Sequence, residues 1–296
     1  MNTIKTGILM MLMGGLLLLV GALMGGMGGL IVALVFAVFM NFFAYWFSDK
    51  MALRMAGAHQ VSPEEAPELH SIVDEQVQRA GIPKPKVYLI NNDSPNAFAT
   101  GRSPTKATIA ATTGVIGILD RDELGGVIAH ELAHVGNRDT LIMAMVATVA
   151  SAIAMIAWMA KFSLIFGGFG GRGRGGGGYG GMVGIGGLLL LAIVIPMLTT
   201  LVRLAISRTR EYQADASGAK ISGNPWALAN ALEKLDASSR QIPMEANQAT
   251  AHLYIVEPMH KQAMSFLNGQ GMMRFFSTHP PTAERVKRLR SMKVGW

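Results

Sequence analysis

Within the stretch Asp120 to Thr140, DRDELGGVIAHELAHVGNRDT, stand His130, Glu131 and His134, an HExxH arrangement. On a helix, residues four apart share a face, so the two imidazoles can close on one metal ion. Glu131, one residue round, then reaches a water at that metal and can take its proton. This is the geometry of a zinc hydrolase. The required helix has local support: Asp120 followed by Glu123 reads as a cap with a reciprocal carboxylate, and no proline interrupts Arg121 to Val135.

A catalytic zinc usually keeps three protein ligands and an open position. The chain has no cysteine, which excludes disulfides, thiolate nucleophiles and Cys-type zinc sites, so any metal must be held by His and carboxylate. Glu211 and Asp215, in TREYQADASGA, answer that need. They lie one helical turn apart, so Glu211 can face the metal while Asp215 hydrogen-bonds the far nitrogen of a ligand histidine; a charged helix at a membrane boundary is the plainer reading. Of the other histidines, His59, His70, His252 and His260 read as surface residues. His279, in THPPTAER, sits at a turn that opens a final basic helix, with Arg285 about two turns on. A donor there could stabilise the oxyanion of an attacked carbonyl, or His279 could fill a fourth zinc position at rest; a simple turn and cap is the third reading.

Three strand-like runs, Val87 to Ile90, Ala97 to Thr100 and Ala107 to Thr113, precede the HExxH helix. NAFATG, from Asn96 to Gly101, lies among them. A strand beside a metal site can bind an extended peptide by adding it to the sheet, so the backbone of Ala97 and Ala99 is a candidate substrate edge, with an ordinary sheet strand as the alternative.

The elements that must position these residues are unusually apolar. Half of the 296 residues are hydrophobic and only 15% are charged, so membrane spans are expected. Residues 1–48 read as an uncleaved hairpin of two uncharged stretches, Gly7 to Met24 and Leu30 to Phe47, joined by GGMGG, each about long enough to cross a bilayer. Tyr45 and Trp46 mark its exit, and positive charge at both open ends places them in the cytoplasm. Ser62, Pro63 and Glu65 open an amphipathic helix with Leu69, Ile72, Val73 and Val77 on one face, stopped by Gly81 and Pro83. Residues 140–202 form a second apolar hairpin around GGFGGRGRGGGGYGG. That loop resembles segments that bind single-stranded nucleic acid, but with two arginines between hydrophobic runs it reads as a flexible connector. Arg203, Arg208 and Arg210 after it again favour the cytoplasm, although Arg172 and Arg174 in the loop weaken that bias. The polar parts, 49–139 with 9 Lys/Arg against 12 Asp/Glu and 203–296 with 13 against 7, then build one discontinuous domain. The basic second part suits an anionic membrane surface better than nucleic acid.

Taken together, the apolar hairpin, PNAFATG, AHELAHVGNRDT, the second hairpin, REYQADASGA and STHPPTAERV resemble, in that order and over nearly the whole chain, the HtpX family of bacterial membrane zinc peptidases. The resemblance implies an α+β fold with a thermolysin-like catalytic domain, in which an HExxH helix lies on a small sheet, and one Zn2+ per chain. It implies zinc ligands His130, His134 and Glu211, Glu131 as general base, and Asp215 behind a ligand. It further implies Asn96, Ala97, Phe98 and Ala99 as the substrate edge and His279 with Arg285 as transition-state or gating groups. The implied role is heat-shock-related quality control of damaged inner-membrane proteins by a multi-pass enzyme facing the cytoplasm. Two other readings compete: an intramembrane protease, disfavoured by the charges Asp120 to Glu123, Arg138 and Asp139 flanking the motif, and a transporter or scaffold with a structural metal, for which no ion path is visible.

Overall fold

A computed structural model describes residues 2–145, 208–241, 254–255 and 280–293. Both N-terminal apolar stretches belong to α1 (Asn2–Met55). The glycine-rich break within it reduces to a left-handed residue, Gly26, with φ 55°; glycine reaches that conformation without steric penalty. Nδ2 of Asn41 donates to the carbonyl of Met10 at 3.5 Å. A straight helix would hold residues so far apart in sequence roughly 46 Å from each other, so the run doubles back at Gly26. Gly26–Met55, 30 residues, is long and apolar enough to cross a membrane. The helix also continues past residue 48: Ala52 and Leu53 are buried against Ile90, Phe98, Ala110 and Tyr254. The apolar segment is therefore packed directly onto the sheet.

The sheet has four strands, β1 (His59–Gln60), β2 (Lys86–Ile90), β3 (Ala97–Gly101) and β4 (Ala107–Thr112), in the order β1-β2-β4-β3. β2 and β4 are parallel; the outer pairs are antiparallel. β3, which carries NAFAT, is thus an edge strand, and yet all five of its residues are buried. Between β1 and β2 runs α2 (Pro67–Ala80), which buries the expected Leu69, Ile72, Val73 and Val77 and ends at left-handed Gly81. Its first helical residue is Pro67 rather than the Ser62 region. Ser62 and Glu65 instead make a capping turn ahead of the helix, the Ser62 N–H donating to Oε2 of Glu65 at 2.7 Å. His70, expected at the surface, is buried: Nε2 lies 3.1 Å from the carbonyl oxygen of Val61. A single backbone acceptor suffices to bring an imidazole inside, and polarity alone does not reveal it.

After α3 (Thr113–Ile118) comes α4 (Arg121–Gly136), the HExxH helix. Its N-terminus is the expected capping box: Oδ1 of Asp120 accepts from the Glu123 N–H at 2.9 Å, and Oε2 of Glu123 accepts from the Asp120 N–H at 3.0 Å. Reciprocal capping satisfies two donors that a helix end otherwise leaves bare. Beyond the apolar segment lie α5 (Arg208–Ser222), α6 (Pro225–Gln241) and α7 (Thr282–Arg290). α4 runs through the middle of the core, touching α2, α5, α6 and β3. Residues 146–207, which hold nearly all of the second apolar stretch and its glycine-rich loop, lie outside the described residues.

Candidate functional site

The site depends on how closely α5 approaches α4. A Cβ placed on Gly218 would sit 2.8 Å from both Cα and N of His130, nearer than real Cβ atoms come. Glycine lets the two backbones touch. Gly218 and Glu211 are seven residues apart, two helical turns, so the face that touches α4 also presents Glu211 and Asp215. The helix that follows the apolar segment is thereby locked onto the helix that precedes it.

The result is a cluster in which one ligand atom each from His130, His134 and Glu211 lie within 4.8 Å of one another, all buried. Nε2 of His130 is 3.9 Å from Oε2 of Glu211, and Nε2 of His134 is 3.5 Å from Oε1. Both imidazoles turn Nε2 inward because carboxylates stand behind them. Nδ1 of His130 lies 3.1 Å from Oδ1 of Asp215, although off the line that a hydrogen bond prefers. Nδ1 of His134 lies 3.3 Å from Oδ2 of Asp139. Each carboxylate is met by a buried arginine. Arg285 grips Asp215 with Nε on Oδ2 at 2.9 Å and Nη2 on Oδ1 at 2.7 Å; Nη1 of Arg210 reaches Oδ1 of Asp139 at 3.3 Å. Two imidazole nitrogens and a carboxylate, each of the nitrogens backed by a carboxylate, form a donor set that fits a divalent metal such as zinc.

The electrostatics are uneven across the cluster. Burial pushes the His130 pKa down to about 4, outweighing the pull of Asp215. Burial acts downward on His134 too, but the carboxylates of Asp139, Glu211 and Glu131 overcome it and raise the pKa to about 9. Burial alone would raise Asp215; Arg285 reverses that and holds it at about 2. The pair Asp215–Arg285 is therefore charged at any ordinary pH.

Glu131 faces the sheet edge. Its Oε2 accepts from the Ala99 N–H at 2.8 Å, so HExxH and NAFAT meet through one hydrogen bond. Asn96 is buried beside β4: its N–H donates to Oγ1 of Thr112 at 2.9 Å, its carbonyl accepts from the Thr112 N–H at 3.0 Å, and its Oδ1 accepts from the Ala97 N–H at 3.1 Å. The ring of Phe98 packs edge-on against Tyr254, centroids 5.2 Å apart. Arg285 does not stand free in a cleft: besides Asp215 it donates from Nη1 to the Ile255 carbonyl at 3.2 Å, and Nη2 lies 3.5 Å from Nε2 of His130. His279 lies outside the described residues.

The sequence reading missed Asp139 and Arg210. The signal was in plain view, since Asp139 is in the same GNRDT segment, but five residues is not a helical repeat. Arg138 adopts a left-handed conformation, φ 59°, and this turn brings Asp139 back beneath His134.

Comparisons with known proteins converge on one group. Residues 63–293 match the profile of Peptidase family M48. A Protease HtpX homolog of Pyrococcus furiosus is 49% identical over 295 residues, 99% of this chain and 97% of that protein. Those of Thermodesulfovibrio yellowstonii, 49% identical over 292 residues with 99% of both chains covered, and Desulforapulum autotrophicum, 48% over 289 residues with 98% of this chain and 89% of that protein covered, are equally similar. The crystal structure of S. mikatae Ste24p has a weaker likeness, with 19% identity and a TM-score of 0.49 over 86% of this chain; the match spans 57% of that structure. From the order of its motifs, the convergence of its helices and this breadth of near-full-length identity, the chain belongs to peptidase family M48, alongside the HtpX proteases.

Proposed function

We propose that the protein is a membrane-anchored zinc endopeptidase that hydrolyses peptide bonds of misfolded or damaged membrane proteins, with its catalytic domain on the cytoplasmic face of the cell's inner membrane. One observation carries the reading: one ligand atom each from His130, His134 and Glu211 meet within 4.8 Å, across an apolar segment that separates them in sequence. His130, His134 and Glu211 would hold the ion. Two histidines and a glutamate, with no thiolate in the chain, are a donor set that zinc takes at catalytic centres. When bound, the metal supplies a Lewis acid that polarises a carbonyl and makes water more acidic.

Glu131 takes the proton from the attacking water and returns it to the departing amine. The Ala99 N–H holds its Oε2 at the sheet edge, so base and substrate strand are positioned together. Asp215 and Asp139 fix the two imidazoles; Arg285 keeps the Asp215 carboxylate ionised and in place, and Arg210 holds Asp139 in position. Asn96 to Ala99 supply the edge to which an extended substrate adds. His279 serves either as an oxyanion donor or as a fourth ligand at rest, and Arg285 assists from beneath by orienting Asp215.

Membrane anchorage is supported by α1, whose Met27, Val32, Val35 and Phe39 are exposed, together with the second apolar stretch of the sequence. Asp120, Arg121, Asp122 and Arg138 around the HExxH helix are exposed as well. That favours a site at the membrane surface over one inside a span. The test is Glu131→Gln in the full chain, reconstituted in bilayer discs. Metal content should be retained while cleavage of an unfolded membrane protein falls by at least about a hundredfold, the scale of a lost general base; cleavage at the wild-type rate would refute the mechanism.

A further inference from the structure

The outer edge of β3 is already occupied, and one of its occupants has the chemistry of a substrate. The Thr112 N–H bonds the carbonyl of Asn96. Antiparallel pairing repeats every two residues, so Phe98 and Thr100 also face β4 while Ala97, Ala99 and Gly101 turn their backbone groups outward. Four outward groups have partners among the described residues, the first being the Ala97 N–H, which donates to Oδ1 of its neighbour Asn96 at 3.1 Å. The Ala97 carbonyl accepts from the Ile255 N–H at 3.1 Å, the Ala99 N–H donates to Glu131 at 2.8 Å, and the Gly101 carbonyl accepts from Oγ1 of Thr140 at 2.9 Å. Of these partners only Ile255 is main chain.

Ile255 is held by both of its backbone polar groups, its N–H on Ala97 and its carbonyl on Nη1 of Arg285 at 3.2 Å. That is how one residue of an added strand is gripped. Along β3, Ala97 lies two residues, roughly 7 Å, from Ala99 and hence from the Glu131 carboxylate. The same Arg285 nitrogen is 3.9 Å from Oε2 of Glu211. Ile255 therefore stands where a residue flanking the scissile bond would stand. Its side chain is 2% exposed, in the main core, and Tyr254 before it packs on Phe98. A peptide that displaces Ile255 must give back that burial, which an aliphatic side chain does and a charged one cannot.

We propose that Ile255 is an internal pseudosubstrate: a peptide binds β3 by exchange with it, and the exchange selects an aliphatic residue at the position that replaces it. This rests on the reading of β3 as the substrate edge. Occupancy by Ile255 lowers the competent fraction of enzyme, and apparent affinity falls by that fraction.

The test uses the full-length, metal-loaded protein in bilayer discs and a cleavable peptide carrying a single backbone N-methyl group, moved residue by residue. If β3 is the edge, one N-methyl position raises KM by about tenfold or more, because it removes the donor to Ala97. That position sets the register. There, Ile should exceed Asp in kcat/KM by at least about tenfold; equal rates overturn the aliphatic selection. Ile255→Pro deletes the N–H that competes, and should lower KM about threefold to tenfold with kcat unchanged. Tyr254→Ala loosens the hold without touching a backbone donor, should lower KM about twofold to threefold, and decides the matter if the proline variant fails to load metal. KM unchanged or raised in the folded variants, with N-methyl sensitivity intact, would make Ile255 a fixed wall and overturn the exchange while leaving the edge standing. Indifference to N-methylation at every position would remove the edge itself and the proposal with it. Hydrogen exchange gives a readout independent of turnover: the Ile255 amide should be protected in the metal-free protein and lose protection on saturation with the peptide, and protection that persists contradicts exchange.

Discussion

Two regions of this molecule invert the ordinary distribution of side chains, in opposite senses. Around α4, charge is inside: Glu211 is 1% exposed, Arg285 2% and Asp215 3%. Along α1, apolar groups are outside: Met27 is 74% exposed, Val32 70% and Val35 67%. Ionised groups in a core are tolerated only when paired or bound to metal, and an apolar face this long is tolerated only when water does not meet it. The proposed function gives each region a partner, a cation in one and a bilayer in the other. They also touch. Arg102, immediately after β3, lies over the ring of Trp46 at 4.3 Å, and Leu53 packs below Phe98. β3, the proposed substrate edge, is mounted on the end of α1.

The largest effect is expected from breaking the buried-charge region. Glu211→Ala removes a ligand and leaves Arg285 and His134 short of a counter-charge, so bound metal and peptidase activity should both fall below detection. Thermal unfolding should also show a loss of about 3–5 kcal/mol, the scale of an orphaned buried charge. Gly218→Val comes next. Its side chain cannot fit against the His130 backbone, and separation of α5 from α4 should cost about 1–3 kcal/mol and weaken metal binding, with α1 unaffected as read by retention in the membrane fraction.

The two carboxylates behind the imidazoles sharpen the account. Asp215→Asn removes the charge from a carboxylate that Arg285 grips by two short bonds, whereas Asp139→Asn removes it from one that Arg210 reaches at 3.3 Å. Metal competition against a chromogenic chelator should show losses at the high and low ends of about tenfold to a hundredfold respectively; equal losses would show that the arginines do not matter. On α1, replacing Val32, Val35 and Phe39 with serine should reduce partition into bilayers and leave metal content at wild type, which would separate the two inversions.

The mildest perturbation is a proton. Metal-free His134, with its pKa near 9, carries a proton at neutral pH that metal binding must displace, whereas His130, near 4, is already neutral. Metal affinity should therefore rise about tenfold per pH unit between pH 4 and 9 and flatten above it. Calorimetry in two buffers of different ionisation enthalpy should show one proton released at pH 7.

What was legible in the sequence was what local chemistry decides. The capping box at Asp120 and Glu123, the span of α4, the strand at Ala97 and the turn spacing of Glu211 and Asp215 all depend on neighbours within four residues. The sheet order was not legible. That β4 inserts between β2 and β3 is fixed by long-range pairing, and it is this that makes β3 an edge. Nor were the supports of the site. Asp139 returns to His134 through the left-handed turn at Arg138, Arg285 reaches Asp215 across 70 residues, and Ile255 meets Ala97 across an even longer interval. His70 was misplaced because its acceptor is a backbone carbonyl, which has no signature in the sequence. At GGMGG the helix assignment is unbroken, and the reversal there rests on Gly26 and on the Asn41 contact.

The central claim is that His130, His134 and Glu211 share one cation. Anomalous diffraction at the zinc edge from crystals of the full-length protein tests it directly. The account requires a single peak about 2.0–2.2 Å from Nε2 of His130, Nε2 of His134 and a Glu211 oxygen. A peak elsewhere, or one bound through Nδ1 or without Glu211, would contradict it.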